Sequence, residues 1–255
     1  MKLQNKVAIV TGSAEGIGKA IAKAFVSEGA RVVIADVNEE LAKKTVSEIG
    51  EAAYAVKVDV TKWPEVVRMV EESVKHFGRV DILVNNAGIV RKGWVKDLPE
   101  EVWDEVLTIN LKGTFLCSKA ILPEMIKNNY GRIITISSIA GKQGESAGSA
   151  YCSSKFGQIG FTQALALEVA KNNITVNAIC PGPIPTTLGE YGIREDAKLR
   201  NQDPDQFRDF FISRTPFGVQ GTPEQVAKMA IFVASDDCDF CTGSAFNCNG
   251  GIIMH

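Results

Sequence analysis

The chain has no excess of charge of either sign and no long apolar run. It carries 28 Lys and Arg residues against 30 Asp and Glu residues, for a formal net charge of −2. This balance gives no sign of a nucleic-acid-binding surface or of a charged, disordered tail. No apolar stretch approaches the ~20 residues that cross a bilayer, and the first residues contain no apolar leader. We therefore expect a cytoplasmic protein that binds neither membrane nor nucleic acid.

Residues that typically bind metals are also scarce. The only two histidines, His76 and His255, do not have the spacing of a zinc site. Cys238 and Cys241 form a C-x-x-C pair, but zinc would need two further ligands. The six cysteines are scattered along a long chain, which argues against a disulfide framework. They are Cys117, Cys152, Cys180, Cys238, Cys241 and Cys248. We expect free, partly buried thiols and no bound metal.

What is present is an alternation of short apolar runs and segments with helical periodicity. With 255 residues, 45% of them hydrophobic and 23% charged, the chain suits one large domain. The apolar runs predict strands at 7–10, 31–35, 54–58, 81–84, 132–136, 174–179 and near 244–248. Helices are predicted near 16–28, 38–49, 61–76, 100–128 and 223–235, and around Tyr151 and Lys155. This order predicts a parallel sheet covered by helices on both faces.

One region interrupts the alternation. Residues 183–221 are too long for an ordinary connection, and such segments are usually lids or binding loops. We therefore predict a single domain over 1–255 with a substrate-binding lobe at about 183–221. Directly after the lobe, Thr222, Pro223 and Gln225 predict the N-cap, the first helical residue and the reciprocal partner of a capped helix.

A glycine-rich turn follows the first strand. The segment "VAIVTGSAEGIGKAIA" places Thr11, Gly12, Gly16 and Gly18 between that strand and the next helix. Glycines there permit a tight turn and close backbone approach to a pyrophosphate, while the helix N-terminus offers free N–H groups and a positive dipole end. A tight loop without a ligand is the alternative. The position between a first strand and a helix favours a dinucleotide site.

The second strand ends in a carboxylate. Asp36 lies 18 residues beyond Gly18 and can accept hydrogen bonds from a ribose 2′-hydroxyl, whereas it would repel a 2′-phosphate. Glu15 adds a second negative charge, and Val37 offers no cation. These features predict NAD rather than NADP. The alternative, a turn residue before Asn38, fits the sequence less well once the glycine turn is considered.

A tyrosine and a lysine lie one helical turn apart in "SAYCSSKFGQIG". Tyr151 and Lys155, four residues apart, share a helix face. An ammonium group beside a phenol lowers the phenol pKa from ~10, as a general acid/base near neutral pH requires. Taken alone, the pair is better explained as a chance surface pair, because the spacing occurs in many helices.

Several motifs together remove that ambiguity. The segment 11–18, "NNAG" at 85–88, "SS" at 137–138, "YCSSK" at 151–155 and "PG" at 181–182 resemble the short-chain dehydrogenases/reductases in order and spacing. Ser138 precedes Tyr151 by 13 residues, as in that family. The resemblance covers nearly the whole chain. It implies a doubly wound Rossmann fold with a seven-stranded parallel sheet, usually assembled as a homotetramer.

The resemblance also implies catalytic roles. Tyr151 would donate or accept the proton, Ser138 would hydrogen-bond the substrate oxygen, and Lys155 would bind the nicotinamide ribose and lower the Tyr151 pKa. Asn110, in "TINLKG", would kink its helix and hold a water that links Lys155 to solvent. A strand-end cap for Ser138 and a plain helix residue for Asn110 are the alternatives. The joint presence of all four positions argues against both.

The same resemblance assigns contacts to NAD. Asp59 and Val60 would meet the adenine, and Ile184 and Thr186 the nicotinamide carboxamide. The remaining residues expected to line the cofactor site are Ile17, Asn86, Ala87, Gly88, Pro181 and Gly182, beside the glycine turn, Asp36, Tyr151 and Lys155.

The substrate pocket is expected to come from 89–95, 139–146 and 187–217. Gln143, Ser138 and Tyr151 are the predicted substrate-binding residues. Arg194, Lys198 and Arg200 either bind an anionic group or face water, and the sequence leaves this open. A small polyol, sugar or sugar phosphate suits these polar residues. "YCSSKFG" and "FCTG" are similar to segments of polyol dehydrogenases and acetoin reductases.

The predicted function is therefore NAD-dependent oxidation of a secondary alcohol or reduction of its ketone. Acetoin or diketone reduction and hydroxysteroid oxidation are alternatives, although a steroid would require a more continuous apolar lining. A ketoacyl reductase usually takes NADPH, which Asp36 and Glu15 oppose. A non-catalytic NAD-binding regulator would lack a catalytic residue, whereas all four are present.

Overall fold

A computed structural model describes residues 1–255 and shows a seven-stranded parallel sheet. The strands are β1 (Val7–Thr11), β2 (Arg31–Asp36), β3 (Ala53–Lys57), β4 (Ile82–Asn85), β5 (Gly131–Ile136), β6 (Ile174–Pro181) and β7 (Ala245–Cys248). Their order across the sheet is β3-β2-β1-β4-β5-β6-β7, and every neighbouring pair is parallel. The predicted doubly wound fold is confirmed.

Nine α-helices connect and cover the strands. They are α1 (Gly16–Ser27), α2 (Glu39–Ile49), α3 (Trp63–Phe77), α4 (Glu100–Val106), α5 (Gly113–Asn128), α6 (Ser149–Val169), α7 (Thr187–Leu199), α8 (Pro204–Ser213) and α9 (Pro223–Ala234). No helix combines the length and the hydrophobicity needed to cross a membrane.

The period-two side-chain alternation of the strands builds one apolar layer on each face of the sheet. In β1, Ala8 and Val10 pack into the layer formed with α1 and α9, while Val7 and Ile9 pack into the layer with α3, α5 and α6. Each layer contains 23 buried apolar residues. Because both faces are covered, most strand residues are apolar. Strands β5 and β6 contain buried polar exceptions: Arg132, Thr135, Thr175 and Asn177.

The structure differs from the sequence prediction in two places. The helix predicted over 100–128 is interrupted by a π-helical turn, Leu107–Lys112, between α4 and α5. The region 183–221, predicted to be irregular, contains α7 and α8. The side chains of Thr186 and Asp203 cap α7 and α8, respectively. Gly189 and Gly192 lower the helix propensity of α7.

The predicted cap of α9 is confirmed. The Thr222 hydroxyl accepts a hydrogen bond from the Gln225 amide N–H, and the Gln225 side chain accepts one from the Thr222 N–H. Pro223 occupies the first helical position. The helix that covers β5, β6 and β7 therefore begins where the sequence predicts, directly after the lobe.

Replacing Thr222 with Ala should destabilise the protein by about 1 kcal/mol, because one N–H at the start of α9 loses its partner. For a chain of this size, that corresponds to a loss of about 2 °C in Tm. Differential scanning calorimetry measures the change. Thr222→Ser keeps the hydroxyl and should stay near wild type, so equal losses for the two variants would contradict the capping role.

Candidate active site

A groove runs along the carboxyl edge of the sheet, where the strand order reverses between β1 and β4. In doubly wound folds, ligands bind at this reversal. The groove consists of two cavities, which we call the dinucleotide cavity and the catalytic cavity. The residues that line both of them are Ile17, Asn86, Gly88, Thr186 and Leu188. The two cavities are therefore continuous.

The glycine turn allows a close backbone approach at the dinucleotide cavity. Gly12 and Gly16 adopt φ values of +60° and +57°, which side chains disfavour. A β-carbon at Gly12 would lie 2.8 Å from the Cα of Ala87, and one at Gly18 would collide with the Gly12 carbonyl. The turn therefore requires bare backbone, as a cradle for a pyrophosphate does.

Two of the predicted cofactor residues, Thr11 and Asn86, connect the end of β1 to the end of β4 by hydrogen bonds. The Thr11 hydroxyl accepts hydrogen bonds from the backbone N–H groups of Asn86 (3.0 Å) and Ala87 (3.1 Å). The Asn86 amide donates to the carbonyls of Thr11 (3.0 Å) and Gly12 (2.8 Å). Thr11 and Gly18 are buried and do not line either cavity. Thr11 joins the ends of β1 and β4, and Gly18 allows α1 to approach the Gly12 carbonyl.

The position of Asp36 is compatible with both roles considered for it, shaping a turn and contacting a ribose. Its carboxylate accepts hydrogen bonds from the N–H groups of Ala14 (3.0 Å) and Asn38 (2.9 Å), so it shapes the turn. It also lines the dinucleotide cavity. Each carboxylate oxygen can accept more than one hydrogen bond, so capacity remains for ribose hydroxyls.

The other predicted cofactor residues are distributed along the groove. Asp59, Val60 and Ala87 line the dinucleotide cavity, and Pro181, Gly182 and Ile184 line the catalytic cavity. Asn86, Gly88 and Thr186 lie where the cavities join. The residues present fit an extended dinucleotide, with its adenosine end near Asp36 and its nicotinamide end near Tyr151.

Three of the four predicted catalytic residues line the catalytic cavity: Ser138, Tyr151 and Lys155. Ser138 follows β5, and its hydroxyl accepts from the Ala140 N–H (3.1 Å) and hydrogen-bonds Tyr151. Lys155 is buried, donates to the carbonyl of Ile136 (2.9 Å), and lies 5.5 Å from the centre of the Tyr151 ring. Parallel β5 and helix α6 thus bring the hydroxyl, phenol and amine together.

Burial controls the protonation of this pair in the protein without cofactor. It raises the pKa of Tyr151 to about 12, against the lowering effect of the Ser138 hydrogen bond. Burial also lowers the pKa of Lys155 to about 8. The structure does not show the expected lowering of the Tyr151 pKa by Lys155: the groups that lower it are Ser138 and Lys92, burial outweighs both, and the phenol is neutral at neutral pH.

Asn110 lies behind the cavity, inside the π-helical turn. Its side-chain oxygen accepts from the Ile89 N–H (2.8 Å), and its amide donates to the Ile89 carbonyl (2.9 Å) and the Ser154 hydroxyl (3.0 Å). Asn110 therefore fixes the loop after β4 against α6. The Asn110 side chain makes no direct hydrogen bond with Lys155, whose amine donates to the Ile136 carbonyl instead.

Sequence reasoning missed Gln158, which is fully buried on α6 one turn beyond Lys155. Its amide donates to the Asn110 carbonyl (2.8 Å) and the Thr114 hydroxyl (2.9 Å). The Thr114 hydroxyl itself donates to the same carbonyl (2.7 Å). A glutamine among the small and apolar residues of α6 was the available signal, because buried amides need partners.

Gln143 and the three cations considered for the substrate pocket lie outside the catalytic cavity. Gln143 is exposed and lines a cavity next to the catalytic one, not the cavity that contains Tyr151. Arg194 and Lys198 are exposed and line neither of these cavities. Arg200 lines the adjoining cavity and forms an ion pair with Asp196 (3.2 Å). None of the three cations reaches the catalytic cavity.

Three charged residues that the sequence analysis did not select do line the catalytic cavity: Lys92, Glu145 and Asp196. The Lys92 ammonium lies 2.9 Å from Glu145 Oε2 and 2.8 Å from Asp196 Oδ2. One residue comes from each of the three segments expected to form the pocket. What the sequence did not reveal is which charges in those segments point inwards.

Comparisons with known proteins agree with this geometry. A family model described as short chain dehydrogenase matches residues 6–196. The chain is 39% identical to a galactitol 2-dehydrogenase of Agrobacterium fabrum, over 98% of both chains. It is also 39% identical to a 3-oxoacyl-[acyl-carrier-protein] reductase of Thermotoga maritima, over 100% of both. A solved 3-ketoacyl-(acyl-carrier-protein) reductase from Brucella melitensis, complexed with NADH, superposes with a TM-score of 0.90 at 30% identity, covering 99% of this chain and 100% of the other.

The low pKa of Lys155 predicts a pH-dependent stability. The folded pKa of about 8 lies below the ordinary 10.5, so the unfolded chain binds the proton more tightly and stability rises as the pH increases from 8 to 10.5. Lys155→Met removes this burial cost. The Tm of Lys155→Met minus the Tm of wild type should therefore be higher at pH 7 than at pH 10. Differential scanning fluorimetry without cofactor measures this difference.

Lys96→Met provides the control, because the Lys96 side chain is exposed. Its Tm difference from wild type should be the same at both pH values. A Lys155→Met difference that also stays constant between pH 7 and pH 10 would contradict the burial effect.

Proposed function

The chain belongs to the short-chain dehydrogenase family, and from that premise we propose that it is an NAD-dependent oxidoreductase acting on a small polyol, sugar or sugar-phosphate-like substrate. It interconverts a secondary alcohol and its ketone. The observation that carries the proposal is the meeting of Ser138, Tyr151 and Lys155 in a cavity continuous with the dinucleotide cavity.

The reaction moves one hydride and one proton. When bound, the nicotinamide supplies the hydride acceptor for alcohol oxidation, or the donor for ketone reduction. The Ser138 hydroxyl holds the reacting oxygen, and the Tyr151 phenolate takes the proton from that oxygen as the carbonyl forms. In the reverse direction, the neutral phenol returns the proton to the oxygen.

Lys155 has two tasks in this scheme. Its amine lies beside the Tyr151 ring, close enough for a cation to favour the phenolate. It also lies within the catalytic cavity, where its N–H groups can hold the nicotinamide ribose. Asn110 and Gln158 act as positioning residues, because they join the π-helical turn to the catalytic helix.

The preference for NAD rests on negative charge at the adenosine end. Asp36 lines the dinucleotide cavity, and Glu15 and the exposed Val37 lie along the same wall. Two carboxylates and no facing cation there oppose a 2′-phosphate. The ketoacyl reductase from Brucella that superposes on this chain was solved with NADH.

The substrate class has support from both sequence and cavity. The relative acting on galactitol supports a polyol, and polar residues line the catalytic cavity. The ketoacyl reductase from Thermotoga is equally similar, so reduction of a 3-oxoacyl thioester is the second candidate function. NADH formation with a panel of polyols, compared with NADH consumption with acetoacetyl thioesters, distinguishes the two.

We also propose that the chain assembles as a homotetramer. Large apolar side chains are exposed on the helices beside the π-helical turn and on the catalytic helix: Phe115 on α5, and Phe156 and Leu167 on α6. Leu167 is 85% exposed. Contact between copies through these helices would bury this surface.

The cofactor preference is tested through Asp36. Wild type should have a higher kcat/KM with NAD than with NADP. Asp36→Asn keeps the size and an oxygen acceptor but removes the charge, so the ratio of the two kcat/KM values should fall by about tenfold or more. Equal efficiency of the wild type with NAD and NADP would contradict the proposal.

The catalytic role is tested through Tyr151. Tyr151→Phe keeps the ring and removes the proton-transfer atom, so kcat for alcohol oxidation should fall by ~10²–10⁴-fold. NADH binding, measured by fluorescence titration, should hardly change because the phenol does not hold the cofactor. Lys155→Met should weaken both NADH binding and turnover.

The two substitutions should not combine additively, since both residues serve one proton transfer. A Tyr151→Phe variant that binds NADH normally and turns over near the wild-type rate would show that the phenol only packs the cavity.

A further inference from the structure

Lys92, Glu145 and Asp196 form a charged triad in the wall of the catalytic cavity. Lys92 lies on the loop after β4, Glu145 on the loop between β5 and α6, and Asp196 on α7 of the lobe. The Lys92 side chain is only 6% exposed. Glu145 and Asp196 also line the adjoining cavity, so the triad forms part of the wall between the two.

Lys92 remains charged. Burial lowers the pKa of Lys92, but Glu145 and Asp196 outweigh it and hold that pKa above its ordinary value. The triad also acts on the catalytic phenol, because the charge of Glu145 raises the pKa of Tyr151 and that of Lys92 lowers it. The shared cavity places the triad beside the reacting group.

Not every polar atom of the triad is used within the protein. Lys92 has three N–H donors and two carboxylate partners. Asp196 uses one oxygen for Lys92 and the other for Arg200. Glu145 uses Oε2 for Lys92, while its Oε1 makes no hydrogen bond or ion pair with another residue. One donor of Lys92 and one acceptor of Glu145 thus remain unused in this ion pair.

A hydroxyl group matches that pair, because it accepts one hydrogen bond and donates another. An anionic group can only accept. It would also face Glu145 and Asp196, whose two negative charges equal the positive charges of the two lysines that line the catalytic cavity, Lys92 and Lys155. The cavity therefore offers a carboxylate or phosphate no net attraction.

We propose that Lys92 and Glu145, held by Asp196, bind a non-reacting hydroxyl of a neutral polyhydroxylated substrate. The Lys92 ammonium donates to the hydroxyl oxygen, and Glu145 Oε1 accepts its proton in a hydrogen bond. This inference rests on the proposed function and narrows its substrate class, since it excludes sugar phosphates. It also makes Lys92 and Glu145 the specificity-determining residues, in place of Gln143 and the lobe cations.

The test compares alcohols that differ in their additional hydroxyls. Galactitol and sorbitol are paired with 2-hexanol, and 2,3-butanediol with 2-butanol. For each, kcat/KM with NAD is measured for wild type, Lys92→Met and Glu145→Gln. Wild type should prefer the polyhydroxylated member of at least one pair, and both variants should lower that preference, the ratio of the two kcat/KM values within the pair, by about tenfold or more.

Three controls separate recognition from folding. Lys96→Met, on the same loop with an 82% exposed side chain, should leave every value unchanged. NADH binding and Tm identify variants that fail to fold. Glu145 is partly exposed, so Glu145→Gln keeps the test valid if Lys92→Met is unstable.

The outcomes are distinguishable. Equal losses for polyhydroxylated and mono-alcohols would show that the triad only joins the lobe to the sheet, and would overturn the inference. The inference would also be overturned if wild type had equal kcat/KM values for mono-alcohols and polyols, or a higher kcat/KM for 3-hydroxybutyrate than for an uncharged analogue of it. Either result would leave the dehydrogenase function intact. A wild type that forms NADH from no alcohol would overturn the proposed function itself.

Discussion

The parallel pairing of β1 with β4 is the constraint on which the rest of the site depends. It brings the glycine turn beside the loop that follows β4, and Thr11 and Asn86 join the two through four hydrogen bonds. A β-carbon at Gly12 or Gly18 would prevent this approach. Without it, the strand order would not open a groove at the reversal, and the dinucleotide and catalytic cavities would not be continuous.

From that edge, the chemistry is determined by burial more than by any one charge. Ser138 ends β5, and Tyr151 and Lys155 lie on α6, in surroundings that favour the neutral form of both the phenol and the amine. Lys92 and Glu145 act on the pKa of the same phenol with opposite signs. The proposed substrate-binding wall is therefore coupled electrostatically to the phenol that we propose as the proton-transfer group.

The lobe completes the site by contributing side chains. Thr186 caps α7 and lines both cavities. Asp196, on the same helix, contacts Lys92 on the loop after β4. Arg200 holds Asp196 from behind and also bonds Ser146. The packing of α7 against the loops after β4 and β5 thus positions the residues that we propose for specificity, whereas β5 and α6 position those that we propose for the chemistry.

The sequence by itself determined the fold, the glycine turn and the catalytic motif, because each depends on local spacing. Apolar runs of strand length produce buried parallel strands, and four residues of separation place Tyr151 and Lys155 on one face of a helix. The cap at Thr222 was predictable for the same reason. Only the tertiary structure decided the rest. Gln143 is exposed, Gln158 is buried, and Lys92 meets Glu145 and Asp196 across distances of 53 and 104 residues. Which charges in a polar loop turn inwards depends on partners brought together by the fold, and sequence spacing carries no record of those partners.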